Sequence, residues 1–414
     1  MRSTSGSRSV EIGRVKTAIV LSGGGARGAY EAGVVSGIVE VWRRRPRERA
    51  PFDIFTGTSV GAINAAYLAG WADRPDMNVA GLLAHWHGLE LAKHLSLDPL
   101  RFLAGGRLRE RLARWREGDD ERWGRSLLDP RALEELVETG VPYARLHDNV
   151  RRGIVDALVV AALEISTART TLFAQLAPDA TFSPTRNPRR LFRPTEIEAR
   201  HVLSSAALPL LFPARRVGRH YYCDGGIRFN TPISPAIRAG AERLVVISLL
   251  YPRADHAAEG SPEADENVAA YPSPVFLLGK ILNALLLDPV RYDLQVMDRF
   301  NRLLDALEES LTDDEMERVD AVVTKSRGAP YRKLETLVFS PSADIGRLAH
   351  EHAKHTRANS VSGLLVRRLS DLRDQIEADL LSFILFDGKF ARVLSELGHR
   401  DALDRASEIE AFFS

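Results

Sequence analysis

Two stretches decide how this chain folds: VKTAIVLSGGGARGAYEAGVVSGIVEVWRRRP (15–46) and, after a short basic break, PFDIFTGTSVGAINAAYLAGWA (51–72). In the first, Val15 to Leu21 reads as a buried strand and stops at Ser22-Gly23-Gly24-Gly25. Ala29 to Trp42 then carries apolar residues at helical spacing and ends in Arg43-Arg44-Arg45-Pro46, where cations favour a helix C-terminus and proline forbids continuation. The second stretch repeats the pattern: a short apolar run from Phe52 to Phe55, the turn Gly57-Thr58-Ser59-Val60-Gly61, and a helix from Ala62 to Ala72. Strand, glycine turn, helix, twice within some 70 residues, is the local grammar of an α/β fold with a parallel sheet.

Working outward, residues 78–140 read as mostly helical. Further strands are expected at Ala157–Glu164, Thr171–Gln175, Arg219–Cys223, Leu244–Leu249 and Leu334–Phe339. Segments 177–195, rich in Pro and Arg, and 252–274, rich in Ala, Glu, Asp and Pro, read as surface excursions, either flaps or tolerated insertions. Val275–Leu287 (VFLLGKILNALLL) is the most apolar stretch, suited to the core, to an interfacial helix or to the wall of an apolar tunnel. Amphipathic helices are expected from Val361 onward. The expected organisation is a disordered tail (1–14), one large domain (15–345) and a helical extension packed on that domain (346–414).

With 414 residues and 45% hydrophobic content the chain can bury a large core. Its 56 Lys+Arg against 55 Asp+Glu create no global field directed at nucleic acid. The single cysteine, Cys223, excludes an intrachain disulfide framework and is assigned to the core. No Cys/His zinc spacing occurs, and His350, His352 and His355 miss H-E-x-x-H because position 354 is Lys. The opening residues lack the apolar core of a secretory signal, and no run reaches roughly 18 apolar residues. A soluble cytoplasmic protein is expected, at most peripheral on the inner membrane face.

Two motifs carry chemistry. Gly57–Gly61 matches G-x-S-x-G between a strand and a helix, where a tight reversal holds Ser59 exposed as a nucleophile; the bland reading is a turn with a capping serine. Gly23–Gly28 reads either as a G-x-G-x-x-G dinucleotide turn or as an oxyanion hole. The acidic residue that a dinucleotide site needs about 20 residues on is poorly placed, because that region is arginine-rich and Asp53 precedes or enters the next strand. The serine downstream favours the oxyanion hole. A serine nucleophile needs a proton acceptor, and here the spacing leaves His201, His220, the cluster His350/His352/His355 and Asp224 all open.

Taken together and in order, GGGARG (23–28), GTSVG (57–61), SSAALPLLFP (204–213) and DGG (224–226) resemble the four signatures of patatin-like phospholipases. The likeness spans about residues 15–340, and FILFDGKFARVLSELGHRDA (383–402) resembles the tail of bacterial members. The resemblance implies a central, mostly parallel sheet flanked by helices, an α/β/α sandwich, and a Ser59–Asp224 dyad without histidine. It also implies an oxyanion hole drawn from Gly23, Gly24, Gly25, Ala26, Arg27 and Gly28, an elbow of Gly57, Thr58, Val60 and Gly61 around the serine, and Gly225 and Gly226 beside the carboxylate.

Arg27 would support the loop or meet a substrate phosphate, and 204–209 would pack small residues near the dyad. The expected activity is hydrolysis of lipid carboxylic esters through an acyl-enzyme, with no metal or cofactor. The partners are an acyl-ester substrate and, peripherally, a membrane. The competing classes are a dinucleotide-binding protein and a catalytically silent lipid-binding scaffold. Head group, chain length and oligomeric state are not legible.

Overall fold

The computed structural model of the chain describes residues 15–90, 93, 131–185, 187–209, 211–252, 288–327, 333–355 and 378–414. The expected tail 1–14, the segment 252–274 beyond its first residue, and Val275–Leu287 lie outside these residues.

In chain order the elements are β1 (Thr17–Leu21), α1 (Gly28–Trp42), β2 (Ile54–Thr58), α2 (Val60–Gly70), α3 (Val79–His87), α4 (Arg131–Gly140), α5 (Tyr143–Arg151), β3 (Ala157–Glu164), β4 (Arg169–Leu176), β5 (Arg190–Pro194), α6 (Ala199–Ser205), β6 (Arg215–Val217) and β7 (His220–Asp224). There follow α7 (Ile233–Arg238), β8 (Arg243–Ile247), α8 (Asp288–Ser310), α9 (Asp313–Arg327), β9 (Glu335–Phe339), α10 (Ile345–Lys354), α11 (Ala378–Ile384), α12 (Gly388–Leu403) and α13 (Ala406–Phe412).

One mixed sheet runs in the order β5-β4-β3-β2-β1-β8-β9, with β7 and β6 attached off that path. From β3 to β9 all neighbours are parallel, as the twofold strand-turn-helix pattern predicts. The sheet turns antiparallel at β3–β4 and β3–β7. Period-2 alternation divides the sheet between two cores. Ile19, Leu21, Phe55, Leu158 and Val245 pack with α1, α2 and α12; Ala18, Val20, Ile54, Val159 and Val246 pack with α7 and Met297. Apolar strand residues buried on both faces explain why β1–β3 read as continuous apolar runs.

The sheet has a detail that the rest depends on. The edge of β3 facing β2 is shared end to end: β2 pairs with Ala157–Ala161, with Thr58 opposite Ala161, and β7 takes over at Ala162–Glu164, with Asp224 opposite Ala162. Because β2 is parallel and β7 antiparallel to β3, the two strands approach each other head to head. The residue after Thr58 and the last residue of β7 therefore meet.

The segment 177–195 is not a free flap. Arg190–Pro194 pairs with β4 as an edge strand, Phe182 stacks on Phe192 at 4.2 Å, and the Ser183 amide donates to the Arg238 carbonyl at 2.8 Å. Edge strands tolerate Arg and Pro because one side faces no partner, and that composition is what disguised it. Residues 378–414 build into the body of the molecule. α12 lies on α1 at close range, since a Cβ on Gly33 would stand 2.1 Å from the Ser395 carbonyl oxygen and one on Gly398 2.3 Å from that of Tyr30. The Tyr30 hydroxyl donates to Asp401 at 2.8 Å.

Candidate active site

Ser59 sits between β2 and α2 with φ 56° and ψ −128°, a conformation costly for a residue with a side chain. Its side chain makes no capping bond to α2, so the reading of a merely capping serine fails. The elbow closes only because its neighbours are small: a Cβ on Gly57 would meet the Gly61 oxygen at 2.2 Å, and one on Gly61 would meet the Leu21 oxygen at 2.4 Å.

The strain is held by Ser205, at the end of α6. Its hydroxyl accepts the Ser59 amide at 2.8 Å and donates to the Ala161 carbonyl at 2.6 Å. Ser205 is fully buried, so Ser205→Ala strands two backbone groups, each costing roughly 1–3 kcal/mol. The expected outcome is a clear fall in the thermal midpoint together with a lower kcat at unchanged fold, checked by circular dichroism and initial rates.

Asp224 is 0% exposed. Its amide donates to the Ala207 carbonyl at 2.9 Å, and Oδ1 accepts the Gly226 amide at 2.7 Å. The other oxygen, Oδ2, is buried with no bond of good geometry among the described residues. Burial pushes the carboxyl up to about 7, against the opposing pulls of the neighbouring Ser59 hydroxyl and the Gly226 amide. The Ser59 hydroxyl is thus near enough to act on Asp224 electrostatically without a formed hydrogen bond, as is common for catalytic pairs without substrate. Gly225 is required here because a Cβ would stand 2.3 Å from the Ala161 oxygen.

The glycine loop lies over this pair. Gly23 is held by Asn230, whose Oδ1 accepts the Gly23 amide at 2.9 Å and whose Nδ2 donates to the Gly23 carbonyl at 3.1 Å. The Arg27 amide is spent within the turn on Gly24, and that of Gly28 on Gly25 and Ala26. The amides of Gly24 and Gly25 are left at the open start of the 3-10 turn Gly25–Arg27. Arg27 is buried; its Nε donates to the Ser382 hydroxyl at 2.8 Å and its guanidinium lies 4.3 Å from the centre of the Phe383 ring. It fastens the loop to α11.

Beneath the loop, Ser59, Asp224 and Gly25 line one pocket with about 890 Å³ of atom-free space including its open mouth. Its walls are apolar, with Ile63, Leu82, Trp86, Leu211, Phe212 and Phe386 among them. The histidines considered as bases are elsewhere. His201 accepts the Glu198 amide on its Nδ1 in a capping box at 3.0 Å, and burial lowers it to about 4. His220 pairs with Glu164 at 3.1 Å and His352 with Asp387 at 3.0 Å. Asp53 accepts the Thr17 amide at 3.0 Å at the start of β1, the opposite end of the sheet from the glycine loop, so it cannot serve a dinucleotide there. Burial raises the Cys223 thiol to about 11, in keeping with a core residue. Among the described residues no cluster of His, Cys, Asp or Glu could hold a metal ion, and no helix is long and apolar enough to cross a membrane.

Asn230 and Ser205 are the residues the sequence did not single out. Ser205 lay inside a stretch read as packing, and Asn230 stands in no recognisable spacing.

The fold is thus an α/β/α sandwich in which a strained serine and a buried carboxylate stand at the ends of two abutting strands. The chain is a member of the patatin-like phospholipase family, whose sequence model matches residues 19–237. Among solved structures, VipD from Legionella pneumophila is similar over 97% of this chain and 92% of its own, at 13% identity and a TM-score of 0.29. The heterodimeric ExoU–SpcU complex of the Pseudomonas aeruginosa type III secretion system is similar over 89% of this chain and 74% of the matched one, at 15% identity and a TM-score of 0.27. No curated protein matches the chain.

Proposed function

We propose that the chain hydrolyses carboxylic esters of lipids, with Ser59 as nucleophile and Asp224 as its base. The observation that carries this reading is the head-to-head meeting of β2 and β7 on one edge of β3, which sets the Ser59 hydroxyl beside a buried carboxylate whose second oxygen has no other partner among the described residues.

In the first half-reaction Ser59 Oγ attacks the ester carbonyl and its proton passes to Asp224. The tetrahedral oxyanion is held by the Gly24 and Gly25 amides, and the bond to the alcohol breaks as Asp224 returns the proton to it. In the second, Asp224 takes a proton from water, the hydroxide attacks the acyl-serine, and the fatty acid leaves as Ser59 regains its proton. A carboxyl raised to about 7 is better matched to this work than an ordinary aspartate near 3.9. The base must be ionised to act, so kcat/KM is expected to rise with pH up to about 7 and then level off. The apolar pocket suits an acyl chain.

The test is hydrolysis of a medium-chain p-nitrophenyl ester together with labelling by a fluorophosphonate probe. Wild type is expected to do both and Ser59→Ala neither, with circular dichroism unchanged. Absence of labelling and turnover in the folded wild type would leave a silent lipid-binding scaffold as the better account, and full activity in Ser59→Ala would end the assignment of the nucleophile.

A further inference from the structure

The end of the sheet that carries Ser59 and Asp224 also carries a surface that the catalytic reading does not use. The Ile165 amide donates to the Tyr221 carbonyl at 2.9 Å, continuing the β3–β7 ladder by one step, and Arg216 pairs with Tyr221 on the other side. Residues in register across antiparallel strands share a face, so Ile165, Tyr221 and Arg216 form a row. Ile165 is 49% and Tyr221 48% exposed.

Around this row the charge has one sign. Arg189, Arg216, Arg219 and Arg228 are exposed. Arg216 donates to the Gly218 carbonyl and Arg228 to the Ala168 carbonyl at the β3–β4 turn, and none of the four meets a carboxylate among the described residues. The contributing segments 165–176, 187–195, 211–223 and 225–235 contain no Asp or Glu at all. Of the carboxylates adjoining these segments, Glu164, Glu134 and Asp224 are buried: Glu164 pairs with His220, Glu134 with Arg215, and Asp224 stands beside Ser59. In a chain whose charges otherwise balance, this is a local segregation. From Tyr221, β7 descends to Asp224 in three residues, about 10 Å of strand.

We propose that this tip is a docking surface for an anionic membrane, with the arginines meeting lipid phosphates and Ile165 and Tyr221 entering the interface. The choice of a bilayer over another polyanion rests on Ile165, an aliphatic side chain that offers a base no stacking face, and on the lipid hydrolysis proposed above. Juxtamembrane arginines contribute about 1 kcal/mol each, roughly fivefold in affinity, and such attraction is screened by salt.

The experiment is co-sedimentation of the full chain with vesicles, in a Ser59→Ala background so that lipid stays intact. Binding is expected to vesicles of equal parts phosphatidylglycerol and phosphatidylcholine and not to phosphatidylcholine alone, and to be lost near 1 M salt, where screening acts over about 3 Å. Replacing Arg189, Arg216 and Arg219 by Ala should weaken it roughly a hundredfold. Ile165→Ser with Tyr221→Ser should weaken it roughly tenfold. With Ser59 restored, both sets of variants should hydrolyse a soluble p-nitrophenyl ester at the wild-type rate. Undiminished vesicle binding in the arginine variant overturns the proposal, as does salt-independent binding to neutral vesicles, or tight binding of a single-stranded oligonucleotide to the Ile165→Ser, Tyr221→Ser protein in place of vesicles. Loss of ester hydrolysis in the wild type would instead strike the catalytic reading and leave vesicle binding to stand or fall alone.

Discussion

Asp224→Asn is expected to abolish ester hydrolysis and, at the same time, to make the folded protein harder to unfold above neutral pH. The two effects have one cause. Burial raises the carboxyl from 3.8 to about 7, so between those values the folded protein keeps a proton that the unfolded chain has released. Stability therefore falls as pH rises through that window, and above about 7 the full penalty is present. A difference of this size corresponds to something on the order of 4 kcal/mol. Asparagine keeps the shape and the bond to the Gly226 amide but carries no charge to bury, so the penalty disappears. Loss of the base should cost roughly 10²–10⁴ in kcat. Urea denaturation of both proteins at pH 5 and pH 8, beside initial rates, checks the claim. Curves for wild type and variant that differ equally at both pH values would show that Asp224 does not carry the proton described.

The second large effect is expected from Gly25→Ala. Gly25 has φ +57° and an added Cβ would stand 2.2 Å from the backbone oxygen of Phe383, which cannot swing aside as a side-chain tip can. Left-handed geometry alone costs roughly 1–2 kcal/mol, and the collision adds to it by forcing the loop off α11. Displacing one oxyanion donor typically costs about 10²–10³ in kcat. Gly153→Ala is the control: φ is +65° there too, but nothing lies within 4 Å of the added carbon. It should show the modest loss of stability without the loss of turnover. Equal kcat for the two variants would mean that the Gly25 amide does not face the reaction.

What could be read from the sequence follows burial. β1, β2 and β3 are covered on both faces and announce themselves as apolar runs; the two glycine turns are legible because no other residue fits where backbone passes backbone. β5 was hidden because an edge strand escapes both constraints, and β6 because three residues carry too little pattern. The choice of base stayed open on spacing alone because sequence does not tell which strand ends abut. The register of β2 and β7 along β3 settles which groups are neighbours, bringing Asp224 to Ser59 and leaving His201 and His220 in other bonds. Ser205 and Asn230 escaped for a related reason: each acts on a backbone group 146 and 207 positions away, a relation no local motif records.

The attachment of Gly25 and Arg27 to Phe383 and Ser382 has a bearing on how the protein comes into being. The serine, the carboxylate, the glycine loop and Asn230, which holds Gly23, all precede residue 382 in the chain, so until that residue is made the loop lacks its support from α11. The emerging polypeptide thus carries the serine, the carboxylate and the loop for a time before the segment that braces Gly25 and Arg27 has been made.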